Sequence, residues 1–444
     1  MKVHLVARAF LVGAVVAAAA VLVVGFFVVV GVPSGVAGPG SAPPAAPPNP
    51  GHSYSQVELP AGTWSGLDAD LLDGLQASEI MGRQGFSRTL VDSFSLTQVG
   101  WSTSVAVGVD GLPVISYLDM TNADLKVAHC SNPACTSAAI TTVDSTANVG
   151  TVTSVAVGAD GLPVISYYDA TGNYDLKVAH CENAACTSAT TTTVDGTDAV
   201  GGFSSVTVGA DGLPVISYSD GTNTAVKVAH CENAACTSAT ITTLDSAGVV
   251  GQGTSVTVGA DGLPVIAYSD GSNTALKVAH CENAACTSAT ITTADNSGAV
   301  GGDLSITVGA DGLPVISHQE WNTEDLKVTH CGNAACSSGN TTTTLDSTGE
   351  VGYNTSVTVG ADGLPLISYY EWTNGDLRVA HCSNAACTSA TIITVDSTGD
   401  VGLDASMTVG VDGLPIISYY DGSTGDLKVA HCSNRFCVPY HRPR

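Results

Sequence analysis

The chain reads as an all-β protein: a seven-bladed β-propeller of four-stranded antiparallel blades, closed by an N-terminal strand and preceded by one transmembrane or signal helix. Three observations predict this. The pattern SVxVGxDGLPxIxxxx, LKVAHCxNxAC, TSATxTTVDS recurs seven times from Ser104, punctuated by Asp110-Gly111, Asp160-Gly161, Asp211-Gly212, Asp261-Gly262, Asp311-Gly312, Asp362-Gly363 and Asp412-Gly413. The spacings of 50 or 51 residues suit one propeller blade, since such repeat classes run at about 40 to 50 residues. Finally, the last repeat lacks its fourth strand, and a matching segment stands before the first repeat.

Within the second repeat, strand a is expected at Ser154 to Val157, b at Pro163 to Tyr168, c at Leu176 to Cys181 and d at Thr190 to Asp195. All four are short and rich in Val, Ile, Thr or Tyr. Strand a mixes Val with small residues, which suits the crowded axis, while Thr-rich strand d suits the solvated rim. Asp-Gly supplies the positive φ of a tight a-to-b hairpin, so the seven aspartates read as turn residues.

The seventh repeat has a near Ala405 to Val409, b near Pro415 to Tyr420 and c at Leu427 to Cys432, then stops short of TSATxTTVDS. Ser87 to Ser93 (SRTLVDS) carries the strand d pattern. Pairing it with the last blade closes the ring over residues 88–437 and removes the end blades that an open β-solenoid would have to cap.

The N-terminal region sets the expected compartment. Residues 9–32 form an uncharged apolar run behind Lys2 and Arg8, long enough at about 1.5 Å per residue to span a bilayer. Residues 1–32 therefore read as a signal anchor or signal peptide that places the rest outside the cytoplasm, membrane-anchored or secreted. A Pro/Gly/Ala-rich linker at 33–62, a capping or stalk segment at 63–87 and a basic tail at 438–444 complete the organisation. The 40 Asp and Glu against 14 Lys and Arg leave a formal charge of -26, which repels nucleic acid and confines membrane contact to the N-terminal segment. A monomer is expected.

Every repeat carries two cysteines five positions apart: Cys130 and Cys135, Cys181 and Cys186, Cys231 and Cys236, Cys281 and Cys286, Cys331 and Cys336, Cys382 and Cys387, Cys432 and Cys437. They bracket the c-to-d turn, where chain reversal brings the Cα atoms within disulfide range, and seven local bridges require an oxidising compartment. His-Cys also resembles a zinc motif. Adjacent strand residues point to opposite faces and no fourth ligand accompanies them, so His129, His180, His230, His280, His330, His381 and His431 read as structural hydrogen-bonding groups.

Acids flank most b-to-c loops: Asp119 and Asp124, Asp169 and Asp175, Glu320 and Asp325, Glu371 and Asp376, Asp421 and Asp426. They read as turn caps, with weak calcium binding as the alternative, and no cofactor is otherwise called for. The a-to-b and c-to-d turns are nearly invariant, whereas the b-to-c and d-to-a connections on the other face vary, with Trp101, Phe203 and Tyr353 assigned to the d-to-a loops. Trp321 and Trp372 lie in adjacent blades beside Glu320, Asp325, Glu371 and Asp376. Rings beside carboxylates can stack on sugar faces and accept hydroxyl hydrogen bonds. Together with Tyr353 they form the candidate ligand site.

Leu67 to Ser78 (LDADLLDGLQAS) resembles a short element of phage tail fibres and some bacterial surface proteins, and residues 88–437 resemble bacterial exported propellers in general. Neither resemblance implies a particular activity. The sialidase-type Asp-box and the Kelch, tryptophan-docking and Trp-Asp signatures are absent, and the polar residues mostly recur in every blade. The expected function is an extracellular or cell-surface binding or scaffolding module that recognises carbohydrate or a surface protein. A passive structural or adhesive spacer is the alternative, and a propeller-fold glycosidase or lyase is the third reading.

Overall fold

A computed structural model of the chain describes residues 85–438, apart from 94–97, 147 and 172–173. The apolar segment, the linker, residues 63–84 and residues 439–444 lie outside the described residues, and so do the expectations that fall on them. Among the described residues no helix is long and apolar enough to cross a membrane.

Twenty-eight strands form seven four-stranded antiparallel sheets. The first blade comprises Val99–Val107 (a), Pro113–Asp119 (b), Asp124–Cys130 (c) and Ala138–Asp144 (d), and the others repeat this order. Strands b to d of the second blade, Pro163–Asp169, Asp175–Cys181 and Ala189–Asp195, fall within one residue of expectation. Strand a does not. It runs Val149–Val157, five residues longer at its start, because a β-bulge between Thr151 and Ser154 lets the chain stay paired through residues that show no alternation. The same extension corrects the placement of Trp101, Phe203 and Tyr353, which belong to strand a of their blades rather than to loops.

Ring closure is as the repeat phase predicts. Phe86–Asp92 is the outermost strand of the last blade and pairs with Asp426–Cys432, Ser87 opposite His431 and Thr89 opposite Val429. The innermost strands hold the ring together through one serine per blade. Val155 N donates to Ser104 Oγ at 3.1 Å, and the bond recurs at every step up to Val105 N and Ser406 Oγ at 3.2 Å, which joins the first blade to the last. Close approach also explains the repeated Val-Gly at the start of strand a. Gly100 has φ +99°, and a Cβ there would sit 2.8 Å from the Leu427 Cα of the preceding blade.

Each blade interface is a separate apolar cluster. Between the first two blades, Val114, Leu125 and Val127 pack against Val155, Ile165, Tyr167 and Ala179, and burying each large aliphatic side chain contributes about 1.5 to 3 kcal/mol. A polar clamp tops the interface: Tyr167 OH donates to Asp144 Oδ2 at 2.7 Å, and Lys177 Nζ lies 2.6 Å from the same oxygen. Burial alone would raise the Asp144 carboxyl, but hydrogen bonds from Lys177, Thr146 and Tyr167 outweigh it and hold the group below the usual carboxylate range. The tyrosine clamp recurs at Tyr117 and Asp92, Tyr218 and Asp195, Tyr268 and Asp245, Tyr369 and Asp346, and Tyr419 and Asp396. Asp92 sits on the N-terminal strand, so the clamp also seals the ring.

The seven disulfides bridge the expected pairs with Cα atoms 4.8 to 4.9 Å apart, and no cysteine is free. Each Asp-Gly aspartate uses both oxygens. Asp160 Oδ1 accepts from Leu162 N at 3.0 Å and caps the turn, while Oδ2 meets His180 Nε2 at 2.8 Å. All seven histidines make this tie to the a-to-b turn of their own blade.

Candidate ligand face and channel throat

The b-to-c and d-to-a connections share one face, and the first acid of each b-to-c turn is committed to holding that turn. Glu371 is wholly buried and accepts from Asn374 N at 3.1 Å, Asn374 Nδ2 at 2.9 Å and Arg378 Nη2 at 3.3 Å. Glu320, also buried, accepts from Asn322 N at 3.1 Å, Ala299 N at 3.2 Å and Thr323 Oγ1. Asp119 is held in the same way by Asn122 and by Lys126 Nζ at 2.7 Å. Asp325 and Asp376 are half-buried at the start of strand c. Burial, aided by the Glu371 charge, raises the Asp376 carboxyl. Among the described residues, no three His, Cys, Asp or Glu side chains converge as a metal would need.

The two tryptophans are the first residues of these turns, and their rings reach solvent. Trp321 is 50% exposed and Trp372 37%. Trp372 reaches inward from its loop, with its ring 5.7 Å from Tyr353 on strand a and 5.9 Å, edge-on, from Tyr370 on strand b. A separate pair joins the first blade to the last, Trp101 lying 5.1 Å from Tyr420.

At the axis, the extended strand a places one residue per blade around the mouth of the channel, two positions before the inter-blade serine. In blade order these are Ser102, Val152, Phe203, Gly253, Asp303, Asn354 and Asp404. The bulge puts Ser102, Val152, Phe203, Asn354 and Asp404 at φ between 46° and 52°, a left-handed conformation that turns the side chain out of the sheet and is uncommon for residues with a Cβ. Backbone and carboxylates then interlock: Asp404 Oδ2 accepts from Ser102 N at 2.8 Å, and Asp303 accepts from the backbone N–H of Asn354. Restricted solvent at this throat pushes the Asp303 carboxyl up to about 6, with the neighbouring Asp404 charge adding to the shift. Desolvation raises Asp404 as well, against the Ser102 hydrogen bond.

The throat therefore has two unlike sides. Blades two to four present Val152, Phe203 and Gly253, whereas blades five to seven and the first present Asp303, Asn354, Asp404 and Ser102. These residues were missed as candidates because they lie just before each repeat's recognisable core and were assigned to variable connections. Aligning the seven inter-blade serines and stepping back two positions would have exposed them.

A propeller with its symmetry broken at one side of its channel is what fold and site together define. No family model matches the chain, and no curated protein matches it. Solved structures do share the fold. An ulvan lyase of polysaccharide lyase family PL25, bound to -[GlcA(1-4)Rha3S]-, is similar with a TM-score of 0.53 and 10% identity, covering 77% of this chain and 95% of the lyase. Hydrazine synthase of Kuenenia stuttgartiensis is similar with a TM-score of 0.53 and 11% identity, covering 76% of this chain and 97% of its own. Such different chemistries at these identities establish the seven-bladed architecture alone.

Proposed function

We propose that this protein is a carbohydrate-binding propeller acting outside the cytoplasm, with its ligand across the loop face of blades five to seven. One observation carries the reading: the exposed Trp372 ring adjoins Tyr353 and Tyr370, and Tyr353 is near enough to Asp303 of the throat to feel its charge. Aromatic faces offer stacking surfaces to the C–H faces of sugar rings, and the throat carboxylates and Asn354 accept or donate hydrogen bonds to hydroxyls. Glu320 and Glu371 act behind the site by shaping the turns that carry Trp321 and Trp372. Seven disulfides support an oxidising compartment.

The test is a glycan array and a cell-wall pull-down with the propeller, compared with a Trp321→Ala, Trp372→Ala double variant. Binding by the wild type that drops at least tenfold in the variant is expected. Equal binding by both proteins moves the site elsewhere, and binding by neither leaves the passive spacer. Turnover of any bound saccharide makes the protein an enzyme.

A further inference from the structure

One backbone rung repeats on the loop face of every blade. The first residue of the b-to-c loop donates its N–H to the carbonyl of the residue that precedes strand a of the same blade, at 2.7 to 2.8 Å. In the sixth blade this rung joins Trp372 to Glu350, and in the seventh it joins Gly422 to Asp400. The first five blades have Gln98, Asn148, Ala199, Val249 and Ala299 at the position of these two acids. Because the backbone is the same at each rung, the difference lies in the side chains, and an acid stands here only in blades six and seven.

Both acids flank the loop that carries Trp372. Glu350 is pinned at its start, where the Glu350 carbonyl holds Trp372 N and its own N–H donates to Thr373 Oγ1 at 2.9 Å. Asp400 stands at its end: Val401 N donates to the Gly375 carbonyl at 2.9 Å, and a Cβ on Gly375 would lie 3.1 Å from the Asp400 Cα. Tyr370 links this acid to the indole, because its phenol donates to Asp400 Oδ1 and its ring meets Trp372 edge-on at 5.9 Å. The Tyr353 ring, 5.7 Å from Trp372, lies in the same negative field. Burial raises its phenol against a hydrogen bond from Gln319, and the Glu324, Glu350 and Asp303 charges add to the rise. Glu350 and Asp400 are exposed, and among the described residues neither forms an ion pair with Lys or Arg. The cations are spent elsewhere: Lys126, Lys177, Lys227, Lys277, Arg378 and Lys428 pair with buried carboxylates at the ends of strands b and d.

We propose that the Trp372 site selects a positively charged saccharide, one bearing protonated amines as in an oligomer of glucosamine, over its N-acetylated or uronate counterparts. This charge class rests on the carbohydrate reading of the same loop face and adds what that reading leaves open. An ammonium group is attracted to an aromatic face by the ring quadrupole, most strongly to that of tryptophan. Glu350 and Asp400, on either side of the loop, supply the opposite charge and accept the ammonium N–H bonds. Tyr370 occupies Asp400 Oδ1 and leaves Oδ2 for this bond. A uronate meets the reverse, since both carboxylates and a chain of formal charge -26 repel it.

Calorimetric titration of the full chain with a glucosamine tetramer, the N-acetylglucosamine tetramer of the same linkage and a galacturonate tetramer, at a pH that protonates the amine, tests the proposal. The glucosamine tetramer should bind about tenfold more tightly than its N-acetylated counterpart, and galacturonate should not bind measurably. Glu350→Gln, Asp400→Asn should bring the two hexosamine tetramers to the same affinity. Glu182→Gln, Glu232→Gln makes the same charge change at exposed acids of the opposite face and should leave the preference intact. Equal binding of the two hexosamine tetramers by the wild type, tighter binding of galacturonate, or a preference that survives in Glu350→Gln, Asp400→Asn would overturn the charge class and leave the carbohydrate reading standing. A preference lost in Glu182→Gln, Glu232→Gln would overturn it too, by tracing it to net charge. Binding to none of the three by a protein that takes another glycan from the array also overturns the charge class alone, whereas a wild type that takes no glycan at all ends both readings.

Discussion

Tyr218, Asp195 and Lys227 show how a single residue position is repeated because its chemistry closes an interface. The phenol is buried against a carboxylate that burial would otherwise raise, and hydrogen bonds from Thr197, Lys227 and Tyr218 bring Asp195 below its ordinary value. A carboxyl lowered in the folded state adds stability above its unfolded pKa and loses it as pH falls through the folded value. Asp144, Asp195, Asp245, Asp346 and Asp396 are all lowered, so stability should fall steeply below about pH 4, which urea unfolding against pH will measure. Tyr218→Phe should cost about 1 kcal/mol at pH 7 and reduce that acid sensitivity. The fifth blade breaks the clamp. His318 is wholly buried 3.9 Å from Asp295, bonds Thr329 Oγ1 at 3.0 Å, and leaves its Nδ1 and Asp295 Oδ2 unpartnered. Desolvation pushes its imidazole down to about 4, against the pull of Asp295. Thr329 stands where most blades have Ala, so a His318→Tyr, Thr329→Ala double variant should rebuild the clamp and gain about 1 kcal/mol by denaturant unfolding.

At the scale of the element, the c-to-d turn is fixed three times over. A disulfide spans it, Asn132 accepts Cys135 N through its carbonyl at 2.9 Å, and the second cysteine sits in the left-handed region, at φ 50° for Cys135. Losing one bridge, as in Cys231→Ala, Cys236→Ala, should cost about 2 kcal/mol by the chain-entropy model, while strand pairing preserves the blade. Chemical denaturation with far-UV dichroism will show both. Strands b, c and d were legible because β-rich runs and turn signals agree. Strand a was only half legible, since its bulge destroys the period of two that marks a strand. That one irregularity hid the throat, and it also sent Trp101, Phe203 and Tyr353 to loops.

For the whole molecule, closure was legible from arithmetic on strands, because a missing piece at one end and a spare one at the other admit one simple solution. The closing strand is tied by more than its ladder: Tyr117 OH donates to Asp92 Oδ2 at 2.6 Å and Arg88 Nη1 lies 2.7 Å from Asp396 Oδ1. Function was less legible because the repeats conceal it. Trp321 and Trp372 stand out as rare residues, whereas Asp303 and Asp404 differ from their counterparts only when seven strands are laid around one axis. The saccharide reading is tested most directly by weakening opposite sides of that axis in parallel. Calorimetric titration with an array-selected oligosaccharide should show at least tenfold weaker binding in Tyr353→Ala, Trp372→Ala and unchanged binding in Tyr174→Ala, Phe203→Ala, which removes exposed rings from the second and third blades. Unchanged binding in the first variant, or a larger loss in the second, would contradict a site on blades five to seven.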